Sequence, residues 1–315
     1  MNDIYTSSEL KLLSSCTLCP RECKADRLLG GKGYCGIDAG MNIASICIHR
    51  GEEPAISGPE GICNIFFAGC NLRCIYCQNH EISRLKAQKR FNQYSFTDAL
   101  DAVEKILTEG IHAIGFVSPS HMIPQMKALI RGLHNRGLDP VIVYNTNGYD
   151  KVDIIDSLDG LVDVYLPDFK YVSTSLSIKF SDSEDYPVVA LRAIKRMYYQ
   201  KGSRLITDNI GRAENGILIR HLVLPGHANE SKKVLRTIAE EISTGVSLSL
   251  MSQYHPVPAT ENMDDLGRSL YYEEYEEVVR EMEMLGFRNG WHQEIGSNIN
   301  YRPDFSRDHP FEPVL

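Results

Sequence analysis

The chain has 315 residues, 43% of them apolar and 23% charged, enough for two ordinary domains or for one α/β barrel with an appendage. Lys and Arg number 33 against 41 Asp and Glu, a formal net charge of −8, so no electrostatic drive favours nucleic acid or an anionic membrane. No run approaches the roughly 18 apolar residues of a membrane span, and MNDIYTSSELKLLSSC at the start reads as neither signal nor transit peptide, which leads us to expect a cytoplasmic protein.

Residues 1–62 read as a small Cys-rich N-terminal module. They hold Cys16-x2-Cys19-x3-Cys23-x11-Cys35 among Gly30, Gly31, Gly33 and Gly36. All nine cysteines, which also include Cys47, Cys63, Cys70, Cys74 and Cys77, fall in the first quarter of the chain. An odd count in a reducing compartment argues for metal rather than for a disulfide framework. Cys16, Cys19, Cys23 and Cys35 are therefore a candidate second metal site. Their spacing suits a tetrahedral zinc or an auxiliary iron–sulfur cluster and does not choose between them; a loop of half-buried thiols is the plainer alternative. Cys47 and Cys63 read as core residues.

From residue 63 a βα rhythm begins. Expected strands are 63–68, 112–118, 140–145, 162–167, 217–224 and 246–251. Expected helices lie near 96–109, 122–136, 151–158, 185–200, 229–243 and 270–285. In 96–109, Ala99, Leu100, Val103, Ile106 and Leu107 share one face, Ser95 or Thr97 caps the start, and Gly110 ends the helix. Strands that are apolar throughout, alternating with such helices, imply a parallel sheet covered by helices. Six units fall short of a closed eight-stranded barrel. The fold class expected is α/β, a partial (β/α)6 barrel of the TIM type over 63–286, with a doubly wound open sheet as the rival. Polar clusters follow nearly every strand at its C-terminal end: Ser118–His121, Asn145–Gly148, Asp168 with Lys170, Pro225–His227 and Gln253–His255. In parallel α/β proteins that edge is where sites are built. The acidic run from Glu273 to Glu283 reads as a solvated helix face, and 287–315 as an irregular tail.

The chemistry concentrates in FFAGCNLRCIYCQNH, residues 66–80, where Cys70, Cys74 and Cys77 stand at C-x3-C-x2-C. A structural zinc site takes four protein ligands, and Cys63 or His80 would have to complete one. A four-iron cluster held by three thiolates instead leaves one iron open to another ligand.

G-C-N-x-x-C-x-Y-C-Q-N directly after the first apolar strand resembles the signature of the radical S-adenosylmethionine (SAM) superfamily. The resemblance covers about 63–255 and is nearest to the pyruvate formate-lyase activating enzyme type. It implies a [4Fe–4S] cluster on Cys70, Cys74 and Cys77 whose fourth iron is chelated by SAM. It further implies reductive cleavage of SAM to methionine and a 5′-deoxyadenosyl radical. Tyr144–Gly148 is similar to the family's D-T-N-G segment, VDVYLPDFK to its L-D-L-K segment, Leu224–Gly226 to its V-P-G turn, and Gln253–His255 to its P-Y-H. The matching implies SAM contacts at Asn145, Asp168, Lys170 and His255, with Tyr76 against the adenine. Two departures stand out. Ser118-Pro119-Ser120-His121 replaces the usual G-G-E-P, which makes Ser118 or Ser120 the candidate acceptor for the methionyl amino group, and Asn145 replaces an Asp. No cysteine follows Cys77, which excludes the auxiliary clusters that some peptide-modifying members carry after the barrel.

The function expected is that of a radical SAM oxidoreductase, with activation of a glycyl radical enzyme as the nearest analogy. Its partners would be SAM and a reductant such as flavodoxin or ferredoxin. Modification of another peptide, an RNA or a small molecule is a further reading, and a non-catalytic iron–sulfur or zinc protein is another.

Overall fold

The computed structural model describes residues 4–84, 94–296, 303–307 and 310–311. Its strands are β1 (Ile43–His49), β2 (Ile62–Phe67), β3 (Ala113–Val117), β4 (Val141–Thr146), β5 (Val164–Pro167), β6 (Ile206–Thr207), β7 (Ala213–Leu222), β8 (Ser247–Met251) and β9 (Gly290–His292). The helices are α1 (Ser7–Ser14), α2 (Pro54–Ser57), α3 (His80–Ser83), α4 (Phe96–Thr108), α5 (Ile123–Asn135), α6 (Val152–Asp156), α7 (Thr174–Ser181), α8 (Tyr186–Lys201), α9 (Ala228–Glu241) and α10 (Tyr272–Met284).

β2, β3, β4, β5, β7, β8 and β9 pair in parallel in that order. β1 adds an antiparallel edge beside β2, and β6 forms a hairpin partner for β7. The sheet does not close: β1 and β9 stand at opposite ends of the strand order. All six expected strands are present, and the architecture is the expected partial barrel.

Three strands were not foreseen: β1, the two-residue β6 and β9. β1 lies within the stretch read as a Cys-rich module and carries the sheet ahead of residue 62. Its buried positions alternate, Ile43, Ser45, Cys47 and His49, so two polar residues blur the period-two apolar signal. Leu13, Leu18 and Ile37 also join the main core rather than a separate one. β9 lies in the stretch read as an irregular tail, and three residues are too few to show a period.

Helix α4 illustrates how the elements arise. Ser95 accepts from the Asp98 amide and Asp98 reaches back to the Ser95 amide, a capping box. Ala99, Leu100 and Val103 are its buried stripe.

The parallel strands divide their inner face by height. Ala113 on β3, Val143 on β4, Val164 and Leu166 on β5 and Leu218 on β7 form one apolar cluster, closed below by Ala55 and Ile56 of α2. Two residues further along each strand, on the same face, come Gly115, Asn145, Asp168 and Arg220. The apolar plug thus gives way to polar residues toward the C-terminal edge, where the site lies.

Candidate active site at the C-terminal edge of the sheet

A cavity of about 460 Å³ opens at this edge, within the size range of small-molecule sites. Cys70, Cys74, Tyr76 and Cys77 line one wall, and Ser118, Asn145, Asp168 and Lys170 line another. The structure therefore brings eight of the nine residues expected around the cluster and SAM to one space. His255 is not among the lining residues; its carbonyl accepts from Gln78 Nε2 at 3.2 Å.

The cysteine loop is pinned by its own backbone. The amides of Arg73 and Ile75 donate to the carbonyls of Ser181 and Phe180 at the end of α7. Each of the three sulfurs accepts a hydrogen bond. Cys70 Sγ receives the Leu72 amide and Asn147 Nδ2, both at 3.4 Å, Cys74 Sγ receives Ser181 Oγ at 3.0 Å, and Cys77 Sγ receives Ser83 Oγ at 3.4 Å. Donors aimed at sulfur stabilise thiolates and tune a cluster's potential. Among the described residues, no three His, Cys, Asp or Glu side chains are gathered as a set that would hold a single metal ion. A cubane, taking one thiolate per iron, does not require the sulfurs to meet at one point.

Tyr76 is buried, its hydroxyl 2.5 Å from that of Tyr171, and its ring packs edge-on against Tyr171 and Phe180. Ser118 sits in the left-handed region at φ +52°, unusual for a residue with a Cβ. Ser120 and His121 face elsewhere: Ser120 Oγ lies 3.2 Å from Thr146 Oγ1 and His121 Nε2 lies 2.9 Å from the Ala68 carbonyl. Of the two candidate serines, Ser118 is the one at the cavity. Asn147, within the Tyr144–Gly148 segment but not among the expected SAM contacts, bridges Cys70 and Asn71 through its amide. Its neighbour Gly148 has φ +81°, and a Cβ there would sit 2.3 Å from the Asp168 carbonyl.

Asn145, Asp168 and Lys170 belong to one network centred on Arg220, which the sequence reading passed over. Arg220 Nε donates to Asp168 Oδ1 at 3.1 Å, Nη1 to Glu52 Oε2 at 3.1 Å, and Nη2 to Asn145 Oδ1 at 2.6 Å. Lys170 Nζ donates to Asp168 Oδ2 at 2.6 Å. Burial would raise the Asp168 carboxyl, but the Lys170 and Arg220 charges outweigh it and hold the group below the usual carboxylate range. Glu53 behaves oppositely: burial, helped by Glu52 and opposed by Arg220, raises its carboxyl. A charged residue in the apolar run ILIRHLVL was the signal available for Arg220. His49, the last residue of β1, and Glu52 and Glu53, in the connection to β2, carried no such signal.

The lining fits a polar cofactor. His49 Nδ1, Glu53 Oε2 and Gln78 Oε1 are buried at the cavity without hydrogen-bond partners, and buried polar atoms are rarely left so unless a ligand or water meets them. Three sulfurs with hydrogen-bond donors facing a polar wall suit a cluster on one side and an aminoacyl nucleoside on the other.

Comparison with known proteins agrees. The radical SAM superfamily matches residues 64–238. An uncharacterized protein of Methanocaldococcus jannaschii is 26% identical over 284 residues, covering 88% of this chain and 77% of that one. Among solved structures, HydG, a maturase of the [FeFe]-hydrogenase, superposes with a TM-score of 0.51 at 12% identity over 74% of this chain and 52% of its own. Streptococcus suis SuiB bound to SAM gives 0.48 at 11% identity, covering 72% and 48%. The chain spans about half the length of these two structures, and the likeness to HydG bears on fold alone. With the match running from β2 into α9, through the cysteine loop and both walls of the cavity, the chain belongs to the radical SAM superfamily, whose members use a [4Fe–4S] cluster and SAM.

Proposed function

We propose that this chain is an oxidoreductase that holds the cluster on Cys70, Cys74 and Cys77 and uses it with SAM to take a hydrogen atom from a polypeptide partner. Activation of a glycyl radical enzyme is the finer reading. The observation that carries it is the single cavity shared by three hydrogen-bonded thiols and the Asn145–Asp168–Lys170–Arg220 wall. Cluster and SAM together supply the one-electron cleavage that yields a 5′-deoxyadenosyl radical.

The chain's own residues do the rest. Asp168 is kept ionised by Lys170 and Arg220 and presents fixed charge to the methionyl end of SAM. Asn145, tied by Arg220, offers its amide as a neutral replacement for the family's carboxylate, and Ser118 offers the hydroxyl nearest the position of the missing G-G-E-P. The apolar plug below Asn145 and Arg220 keeps water from the floor. A cavity of this size is largely filled by a nucleoside-sized ligand, which leaves the substrate to present itself on the side where the lining residues Trp291, His292 and Gln293 are half-buried or exposed. That arrangement favours a peptide segment over a buried small metabolite.

The test is anaerobic reconstitution with iron and sulfide, followed by dithionite and SAM. Formation of 5′-deoxyadenosine and methionine is expected, and an intact cluster without SAM turnover on prolonged incubation would refute the enzyme reading. For the finer reading, a glycyl radical signal by electron paramagnetic resonance (EPR) is expected on a glycyl radical enzyme added as the candidate partner. SAM cleavage with no radical on that protein would reject it.

A further inference from the structure

The four N-terminal cysteines lie outside the cavity, yet the chain is folded to bring them together. The Cys16 amide donates to the Ala25 carbonyl at 3.0 Å and the Cys16 carbonyl accepts from the Lys24 amide at 2.9 Å, which closes the Cys19–Cys23 segment into a loop. The Glu22 amide donates to the Cys19 carbonyl at 3.0 Å. On either side of Cys23, Glu22 and Lys24 both take positive φ, +38° and +53°, and bend the chain about that thiol. Gly33 packs so closely on Cys23 that a Cβ would lie 2.2 Å from its Sγ, and the Gly33–Gly36 turn then delivers Cys35. Cys19 lies in the electrostatic field of Cys35, Cys16 and Cys23, and Cys35 in that of Cys16 and Cys23. All four are free thiols.

The spacing of the set allows a tetrahedral zinc or an iron–sulfur cluster; its position against the Cys70 loop is what points to the redox-active one. Cys16 and Cys19 are buried and Cys35 half-buried, while Cys23 is exposed. At the other edge, a Cβ on Gly69 would lie 2.5 Å from the Cys35 carbonyl, so Cys35 abuts the residue before Cys70. Arg21, between Cys19 and Cys23, spans the same gap by donating to the Asn71 carbonyl at 3.0 Å.

We propose that Cys16, Cys19, Cys23 and Cys35 hold a second [4Fe–4S] cluster, which takes an electron from a flavodoxin- or ferredoxin-type donor at its Cys23 edge and passes it to the Cys70 loop. The relay step rests on the proposed function of that loop; the second cluster itself does not. In each transfer the N-terminal cluster goes from the 2+ to the 1+ state as the donor is oxidised, and returns to 2+ as the neighbouring cluster is reduced.

The experiment uses the full chain, reconstituted anaerobically with iron and sulfide, with zinc measured alongside. The wild type should bind about eight irons and about eight sulfides, and the triple variant C70A/C74A/C77A about four of each. C19A/C23A should also keep about four, with an EPR signal that SAM still perturbs. In the fully reduced wild type, the two signals should broaden one another. Zinc without iron in the triple variant overturns the second cluster, as does a wild type holding only about four irons that all respond to SAM, a result that needs no variant to fold. Two additive, unbroadened signals overturn the relay. Eight irons with no response to SAM would leave the N-terminal cluster standing and instead reject the reading of Cys70, Cys74 and Cys77.

Discussion

Replacing Arg220 by Met tests whether the wall of the cavity is held by one guanidinium. The side chain is 13% exposed, and its partners Asp168 and Glu52 are 18% and 11% exposed, so all three are largely removed from water. Met fills much of the same volume but leaves Asp168 to Lys170 alone and leaves Glu52 Oε2 and Asn145 Oδ1 without the donor they now have. Breaking a buried charge pair from one side costs about 3–5 kcal/mol, because the surviving charge is left uncompensated. Lys170 still neutralises Asp168, which places the expectation at the lower end, about 3 kcal/mol. R220K keeps the charge but cannot reach three acceptors with a planar fork, so it should lose about half as much. The assay is urea denaturation of the cluster-free full chain under reducing conditions, completed as a double-mutant cycle with D168N. Removing the Asp168 charge makes the loss of Arg220 cheaper, and a coupling energy above about 1 kcal/mol is expected for groups in direct contact. A loss under about 1 kcal/mol for R220M, or a cycle that closes without coupling, would show that the network is not what organises the wall.

Asn147→Ala removes one of two hydrogen bonds to Cys70 Sγ; the cluster potential should fall by about 40 mV, the one-electron equivalent of about 1 kcal/mol, and an unchanged potential in a redox titration would count against that contact. Ser118→Gly relieves a left-handed backbone at φ +52°, so the melting temperature should rise, by about 1 kcal/mol of stability, while SAM binding by equilibrium dialysis weakens; tighter or equal binding would remove Ser118 from the SAM contacts. Glu274 is held down to about 2, chiefly by hydrogen bonds from Arg268 against the opposing effect of burial, with the Tyr271 and Gly226 amides adding to it. A depressed carboxyl stabilises the fold above its unfolded value of 4.5 and loses that contribution as pH falls toward 2. After discounting for solvent, about 1–2 kcal/mol should disappear across that window in the wild type and not in E274Q, as read by denaturation at pH 6 and pH 3; equal slopes would refute it.

The barrel was legible because each parallel strand is apolar on both faces for most of its length, and each helix carries a 3.6-residue stripe bounded by caps or glycine. Strands β2 and β4 and helices α4 and α5 all form within two residues of expectation for that reason. β1 escaped because Ser45 and His49 occupy inward positions in its alternation; they face the sheet from an edge where hydrogen bonding and the cavity, rather than apolar packing, meet them. β9 escaped because a strand of three residues is defined by its pairing with β8 and by little in its own composition.

The site divides along the same line. The three cysteines, Asn145, Asp168 and Lys170 stand at strand ends, where a polar residue interrupts an apolar period and can be noticed. Glu52 and Glu53 sit in a connection where polar residues are ordinary, and only the fold sets them against Arg220. Arg220 itself follows Leu218 on the inner face by two residues, so its phase, once the strand is known, aims it into the cavity. A guanidinium at that phase must have acidic partners on the facing wall, and Asp168, on the neighbouring strand, was already in view. What the sequence did not supply was the second acid. Glu52 reaches Arg220 across 168 positions of chain, and it does so because β1 joins the sheet. The N-terminal segment is therefore part of the machinery in two ways: it supplies the acid that completes the Arg220 network, and through Cys35 and Arg21 it rests against the loop on which the chemistry depends.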